Sequence, residues 1–180
     1  MAFDRLMEGQ LNLHLQDDQW PLEYIDHDRQ IVRAIVVDDF GQFNFVRVHR
    51  EDLFGLASYI ETAGGGVEAG EDPQAAIRRE LREELGAEVE VLCKLGVVSD
   101  YYNVIHRHNI NHYFLCRVIS FGPTHMTLDE VEQYHLSTAK LSYEDAMAEY
   151  TACAVAPIGK LVAAREVPVL CRAAEVLKMS

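Results

Sequence analysis

Three glutamates lie close together in this chain, in an order that places them on one side of a helix. Glu80 and Glu84 are four residues apart, and Glu83 lies between them. At about 100° per residue, these positions form one stripe along a helix surface. Carboxylate oxygens grouped in this way are the ligands that hard divalent cations such as Mg²⁺ prefer. The pattern indicates a cation site that could activate water or neutralise phosphate charge.

The glutamate stripe is unfavourable for a helix that serves stability alone. Glu80 and Glu84 repel each other across one turn, at a cost of about 0.2–0.5 kcal/mol. Their position near the helix C-terminus costs roughly 0.3–1 kcal/mol more, because the macrodipole is negative there. A bound cation would remove both costs. The alternative interpretation is a solvated charged face, on which Arg79 and Glu83 form an ordinary i,i+4 pair.

Local signals define the helix that carries these glutamates. Asp72 is a good N-cap, and Pro73 suits the first helical position, where no amide hydrogen is needed. Gly86 favours the left-handed conformation that ends helices. Before the helix, Gly64 to Gly66 allow the backbone to bend so closely that a carbonyl could join a metal site. A flexible turn between a strand and the helix is the alternative.

The segment from Gly65 to Ala87 resembles the signature box of the Nudix hydrolases. Five residues separate Gly65 from Glu71, and seven separate Glu71 from the run that starts at Arg79 (RELREELGA). Every charged and glycine position of the box is filled, and Ala87 stands where a larger aliphatic residue is usual. The resemblance implies an enzyme that cleaves a diphosphate linked to another group, with Mg²⁺ or Mn²⁺ as the cofactor.

The resemblance also implies roles for the residues of the box. Glu71 would pair with Arg79 and hold the loop against the helix, and Gly65 and Gly66 would shape that loop. Glu83 and Glu84 would belong to the catalytic set that activates water. The metal ligands that it implies are Glu80, Glu83, Glu84 and the Gly65 carbonyl.

Nudix enzymes often place one further carboxylate in a later loop, where it acts as a base or an additional metal ligand. This chain offers three candidates in that region: Asp129, Glu130 and Glu132. Among them, Glu130 and Glu132 are the catalytic candidates. A solvated acidic loop is the alternative interpretation of the same residues.

Candidate substrate-binding residues lie outside the box. Arginines can clamp phosphates with two hydrogen bonds, which makes Arg47 and Arg107 candidates, with Arg33 and Arg50 also available. Aromatic rings can stack on a nucleobase, so Tyr101 and Tyr102 are candidates too, with ordinary core packing as the alternative. Three nearby histidines could bind zinc, but a role in a substrate loop or on the surface is preferred: His106, His108 and His112.

Composition limits the classes of protein and partner. The chain has 180 residues, of which 49% are hydrophobic, which suits one domain with a real core. We expect an irregular segment over residues 1–20 and a single domain over residues 21–180. The net charge of −13 disfavours nucleic acid as a partner, whereas a small nucleotide diphosphate could bind through its cation.

The start of the chain and its cysteines indicate where it works. Neither a signal peptide nor an apolar run near the roughly 18 residues of a membrane span is present, so we expect no membrane partner. The cysteines show no zinc-binding spacing, and they are typical of reduced thiols in a cytoplasmic protein: Cys93, Cys116, Cys153 and Cys171.

The order of predicted elements indicates an α/β fold. Strands are predicted for residues 31–38, 43–49, 59–62, 89–99 and 111–120, with the first two forming a hairpin. Helices are predicted for residues 73–85, 142–150 and 160–178, and Pro168 marks a kink or boundary in the last. Strands and helices in this order predict a layered α/β/α sandwich with a mixed β-sheet, as the Nudix resemblance also implies.

The substrate is less clearly indicated than the family. The turn from Glu61 to Glu68 looks like that of the ADP-ribose and nucleoside-diphosphate-sugar branch, but Tyr102 stands where that branch commonly has proline. We expect a nucleoside diphosphate joined to a sugar or similar group. Dinucleoside polyphosphates and damaged nucleoside triphosphates are alternatives. A non-catalytic nucleotide sensor is a different class, but such proteins usually lack one of the box glutamates. Related enzymes are often homodimers.

Overall fold

The computed structural model describes residues 9–132 and 135–179, apart from the side chains at 129, 130 and 179. Within these ranges the chain forms eight strands, four α-helices and a 3₁₀ turn over Asn103–Ile105. The strands are β1 Leu11–Leu15, β2 His27–Val37, β3 Phe43–Asp52, β4 Gly55–Glu61, β5 Ala63–Gly66, β6 Ala87–Tyr102, β7 Arg107–Phe121 and β8 Ser137–Leu141. The helices are α1 Pro73–Leu85, α2 Leu128–Glu132, α3 Tyr143–Cys153 and α4 Pro157–Met179.

The strands form one mixed sheet. Its main order is β1-β6-β7-β2-β3-β4, while β5 pairs with β2 and β8 pairs with β3. Strands β1 and β6 run parallel, as do β2 and β7, and the other pairs are antiparallel. The predicted hairpin is confirmed, since Val36 of β2 pairs with Asn44 of β3.

Two hydrophobic cores lie on opposite faces of the sheet, because alternate residues of a strand point to opposite sides. Val32 and Val36 of β2 pack with Ile77 of α1 on one face. Ile35 of the same strand packs with Leu170 of α4 on the other. The predicted α/β/α sandwich is therefore confirmed. None of the described helices is long and apolar enough to cross a membrane.

The helix boundaries follow the predicted local signals closely. Asp72 accepts a hydrogen bond from the backbone N–H of Gln74, and Gly86 ends α1 in the left-handed region at φ 63°. Ser142 likewise caps α3. In α4, however, Pro168 lies inside a continuous helix, so it does not mark a boundary.

The N-terminal segment differs from the prediction for residues 1–20. Leu11–Leu15 form β1, which lies along the edge of the sheet beside β6. Gly96 permits this close approach, because a Cβ at that position would lie 2.2 Å from the carbonyl oxygen of Leu11. Leu13 and its apolar neighbours in β1 alternate with polar residues, as in a half-buried strand. The expectation of an irregular segment is wrong for these residues.

Candidate active site

The glycine turn and helix α1 bring two glutamates against the backbone. A Cβ on Gly65 would lie 2.6 Å from the Glu80 carboxyl group, so glycine allows this carboxyl group to lie against the turn. The Gly64 N–H donates a 2.8 Å hydrogen bond to Glu84 Oε2. Glu80 and Glu84 are buried, at 8% and 7% exposure, whereas the side chain of Glu83 is 43% exposed. The turn and the glutamate stripe therefore form one compact acidic site.

Arg79 ties the loop before α1 to the helix. Its Nε and Nη2 atoms each donate a 3.0 Å hydrogen bond to the Glu71 carboxylate. Its Nη1 atom lies 2.7 Å from Glu80 Oε1 and 3.5 Å from Glu83 Oε2, and Nη2 also donates to the Gly66 carbonyl. The predicted pair between Glu71 and Arg79 is present. These hydrogen bonds from Arg79 hold the pKa of Glu71 below its usual value.

The donor atoms at this site fit a hard divalent cation by their chemistry. Buried carboxylates and a backbone carbonyl at the glycine turn are oxygen ligands of the kind that Mg²⁺ prefers. As placed, Glu80 bonds to Arg79 and Glu84 to the Gly64 N–H, and no group of three metal-ligating side chains is preassembled in the described residues. The three glutamates and the Gly65 carbonyl would be the ligands.

A cleft of about 510 Å³ adjoins the glycine turn on the other side of β5. It is unusually basic for a chain with a net charge of −13. Arg29 connects the two features, because its Nη2 atom lies 3.2 Å from where a Cβ on Gly66 would be. The arginines and aromatic residues that line the cleft are Arg29, Arg33, Arg50, Arg107, Phe54, Tyr59 and Tyr102.

The structure brings two of the four predicted substrate residues to this cleft. Tyr102 and Arg107 line it, and the Arg107 guanidinium lies 5.8 Å from the centre of the Tyr102 ring. Tyr101 points to the opposite face of the sheet, where it stacks on a histidine. Arg47 makes two hydrogen bonds to Glu149, of 2.8 and 2.7 Å. Neither Tyr101 nor Arg47 lines this cleft, and their role in substrate binding stays a prediction.

The three histidines do not converge on one point. His106 stacks on Tyr24, with ring centres 4.0 Å apart. His108 lies between Ser99 and Asp28, and His112 bonds to Gln30, which places both on the face of the sheet away from the cleft. Across the described part of the chain, no cluster of histidines with acidic or cysteine side chains could hold zinc.

The predicted carboxylates of the later loop lie in or beside helix α2. Glu132 is exposed at the end of this helix. Glu130 lies within it, but its side chain and that of Asp129 are outside the described part of the structure. Leu136, which follows this region, lines the cleft. The role of Glu130 or Glu132 as a base stays a prediction.

A buried ion-pair network that the sequence did not reveal lies behind the cleft. Arg165 of α4 is fully buried and donates to Glu166 Oε1 at 2.9 Å, Asp100 Oδ2 at 3.1 Å and the Tyr102 hydroxyl at 2.6 Å. It also donates to Glu61. The adjacent charges Arg165 and Glu166, flanked by apolar residues of the helix, were the available signal. Two of its partners, Glu61 and Tyr102, line the cleft.

Arg33 extends this network to the glycine turn. Its Nη2 atom lies 3.0 Å from Glu61 Oε1, and its Nη1 atom donates to the carbonyl of Thr62, just before β5. Its Nε atom donates to Asn111. Burial opposes ionisation of Glu61, but Arg33 and Arg165 outweigh it and lower the pKa of Glu61. The cleft floor and the start of the turn are therefore held by the same set of charges.

Comparisons with known proteins agree with this geometry. A family model described as NUDIX domain matches residues 27–153. The ADP-ribose pyrophosphatase of Bacillus subtilis is 26% identical over 174 residues, which cover 93% of this chain and 84% of the relative. The 8-oxo-dGTP diphosphatase of Haemophilus influenzae is 40% identical over 58 residues, so the match spans 32% of this chain and only 40% of that relative.

Solved structures show the same fold. An ADP compounds hydrolase superposes with a TM-score of 0.59 and 21% identity, covering 83% of this chain and 73% of that chain. A NUDIX hydrolase from Nitrosomonas europaea has a TM-score of 0.57 and 20% identity, covering 71% and 80%. Since the family model covers well over half of the sequence, the chain belongs to the Nudix hydrolase family.

Proposed function

We propose that this protein hydrolyses a diphosphate bond in a nucleoside diphosphate linked to another group, of the ADP-ribose or nucleotide-sugar type, and depends on Mg²⁺ or Mn²⁺. One observation carries the proposal. The buried carboxylates of Glu80 and Glu84 contact the glycine turn from one side, and an arginine-lined cleft adjoins the same turn from the other.

The reaction requires water to attack one phosphorus of the diphosphate. A P–O bond to the water oxygen forms, the bridging P–O bond breaks, and two phosphate monoesters leave. A divalent cation at the glutamates would lower the pKa of water and neutralise phosphate charge. Glu80, Glu83 and Glu84 would supply its oxygen ligands, and Arg79 holds the loop in place through Glu71. Positioning and charge neutralisation are the main contributions expected in phosphoryl chemistry.

The cleft suits a nucleotide in size and chemistry. Its volume of about 510 Å³ lies within the range of small-molecule sites. Phe54 and Tyr102 form an edge-to-face pair with ring centres 5.6 Å apart, which offers an apolar wall for a base or sugar. Guanidinium groups bind phosphate oxygens well, so the arginines suit the charged part of the substrate.

The relatives support a particular substrate class. The ADP-ribose pyrophosphatase of Bacillus subtilis aligns with nearly the whole chain, whereas the 8-oxo-dGTP diphosphatase aligns with less than a third of it. We therefore place ADP-ribose or a nucleotide sugar before damaged nucleoside triphosphates and dinucleoside polyphosphates. All three box glutamates are present, which favours an enzyme over a nucleotide sensor.

The setting of the reaction is also part of the proposal. The four cysteines are free thiols, which supports a reducing compartment such as the cytoplasm. The acidic net charge disfavours a nucleic-acid substrate. A homodimer is the expected assembly by family resemblance, and light scattering of the purified protein would test it.

A substrate panel with separated products tests the proposed function. The panel contains ADP-ribose, a UDP-sugar, diadenosine polyphosphates and 8-oxo-dGTP, each with Mg²⁺, with Mn²⁺ and with EDTA. We expect ADP-ribose to give AMP and ribose 5-phosphate in the presence of the cation and nothing in EDTA. Preferred release of pyrophosphate from 8-oxo-dGTP would support the alternative substrate. Nucleotide binding without any turnover would support the sensor.

A further inference from the structure

Arg29 and Arg107 differ from the other arginines of the cleft, because they have no acidic ion-pair partner among the described residues. Arg33 pairs with Glu61, and Arg50 pairs with Asp52. Arg29 and Arg107 also line the cleft, but no acidic side chain of the described residues forms an ion pair with either of them. Two positive charges therefore remain uncompensated at one end of a cleft in a strongly acidic protein.

Buried polar atoms around Arg107 also lack protein partners. The Nε atom of Arg107 is buried and makes no hydrogen bond. Asn109, which is 1% exposed, has neither amide atom hydrogen-bonded. Asn109 pairs in register with Arg29 across the sheet and lies two residues after Arg107, so all three side chains point to the cleft face. Buried polar groups without partners are rare in folded proteins and call for a ligand, ion or water.

Electrostatics favour an anion at this position. Burial and the positive charges of Arg29 and Arg33 lower the pKa of Arg107, so the cluster pays a repulsive cost when it stands alone. A phosphate group would neutralise the positive charge and accept hydrogen bonds from the guanidinium groups of Arg29 and Arg107. The repulsion between these arginines would be relieved whenever a phosphate group of the substrate is bound.

We propose that Arg29 and Arg107 form an anion subsite that binds one phosphate group of a nucleoside diphosphate without a divalent cation. The subsite rests on the proposed function and extends it, because it identifies the residues that bind the phosphate group farther from the glutamates. Gly65 faces Glu80, whereas the next residue, Gly66, faces Arg29. Because neighbouring residues of a strand face opposite ways, the thickness of β5 separates the arginine subsite from the acidic site.

Binding of ADP in EDTA tests the subsite apart from catalysis. Isothermal titration calorimetry on the full chain would compare the wild type with Arg29→Gln, Arg107→Gln and the double variant. We expect each single change to raise the Kd for ADP roughly tenfold, because each removes charge-assisted hydrogen bonds to phosphate. The matched control is Arg117→Gln, at the opposite end of β7, where Arg117 faces Glu90 and lies outside the cleft lining.

The outcomes separate the subsite from the proposed function. Absence of ADP binding by the wild type in EDTA, or equal affinity in the double variant, would overturn the subsite. Arginine-dependent ADP binding without hydrolysis of any panel substrate would keep the subsite and reject the proposed function. With an active enzyme, the subsite predicts a raised KM and a nearly unchanged kcat in both single variants. Thermal melting of each variant checks that the fold is retained.

Discussion

At the residue scale, Glu84 combines a candidate metal-binding carboxylate with a contact to the backbone of the glycine turn. Its carboxylate accepts the Gly64 N–H and is almost fully buried. In Glu84→Gln, the amide oxygen can still accept that hydrogen bond, but the negative charge is lost. We expect kcat at saturating Mg²⁺ to fall by more than about 100-fold, since even residues behind metal ligands contribute 10–100-fold. The melting temperature should change little.

Glu88→Gln is the matched control for this variant. Glu88 is exposed and pairs with Arg82 just after the helix, so Glu88→Gln makes the same chemical change outside the site. We expect wild-type turnover from this control. Wild-type turnover in Glu84→Gln as well would contradict the assignment of Glu84 to the catalytic site.

Gly65 supports a second prediction at the same scale. An added methyl group would lie 2.6 Å from the Glu80 carboxyl group, so Gly65→Ala must displace that side chain or the turn. We expect at least a tenfold loss of activity and a weaker activation by Mg²⁺, measured as the cation concentration for half-maximal rate. Gly122→Ala is the control, because its nearest new contact is an ordinary 3.9 Å. Equal cation dependence in both variants would count against a tight glycine turn as part of the site.

Individual residues were predictable where their signal is local. Glu80 and Glu84 could be assigned to one helix face from spacing alone, and the pair between Glu71 and Arg79 followed from the box. Arg29 could not be identified in this way, because its importance depends on the pairing of β2 with β7 and on the absence of an acidic ion-pair partner among the described residues. Such a charge balance exists only in the folded molecule.

At the scale of elements, the pair between Glu71 and Arg79 fixes the loop to helix α1. The pKa of Glu71 is lowered from its ordinary value of 4.5 in the folded protein. The stabilisation is therefore fully present above that value and is lost as the pH falls through the lower, folded pKa. We expect the melting temperature of wild type to exceed that of Glu71→Gln at pH 7, with the difference shrinking below about pH 4.

A pH series of thermal melts measures this difference directly. Glu68→Gln is a suitable control, since the Glu68 side chain is exposed at the start of the same loop. Its hydrogen bonds to Glu71 are made by backbone atoms: the Glu68 N–H donates to the Glu71 carboxylate, and the Glu68 carbonyl accepts from the Glu71 N–H. A difference that stayed constant from pH 7 to pH 3 would show that the stabilisation does not come from the ionised pair.

The success of element prediction depended on how local each signal was. Asp72 and Gly86 define α1 through hydrogen bonds within a few residues, so both of its ends were predicted. Strand β1 was missed although Leu11–Leu15 alternate in polarity, because such a short strand is stabilised only by its distant partner β6. Pro168 suggested a kink or a boundary, but α4 has no boundary there, since packing in the core outweighs the local cost of proline in the helix.

At the scale of the whole molecule, Arg165 connects helix α4 to the sheet. It joins Glu61 at the end of β4 to Asp100 and Tyr102 near the end of β6. Removing its charge in Arg165→Met would leave the buried carboxylates of Asp100 and Glu166 without the ion-pair partner that the described residues give them. We expect a loss of about 3–5 kcal/mol in the free energy of unfolding, measured by urea denaturation.

Arg82→Met is the comparison for this prediction. Arg82 pairs with Glu88 on the surface, with both side chains about half exposed, so its loss should cost less than about 1 kcal/mol. Similar unfolding free energies for the two variants would mean that the buried network contributes no more than a surface ion pair. The network would then be unnecessary for holding the cleft floor.

The central claim is that the glutamates of α1 and the glycine turn together hold a divalent cation. Crystals of the full chain soaked in Mn²⁺ and measured at the manganese absorption edge would locate the cation directly. We predict an anomalous peak within coordination distance of Glu80, Glu84 and the Gly65 carbonyl, with Arg79 released from Glu80. An absent peak, or a peak elsewhere with these side chains unmoved, would contradict the account.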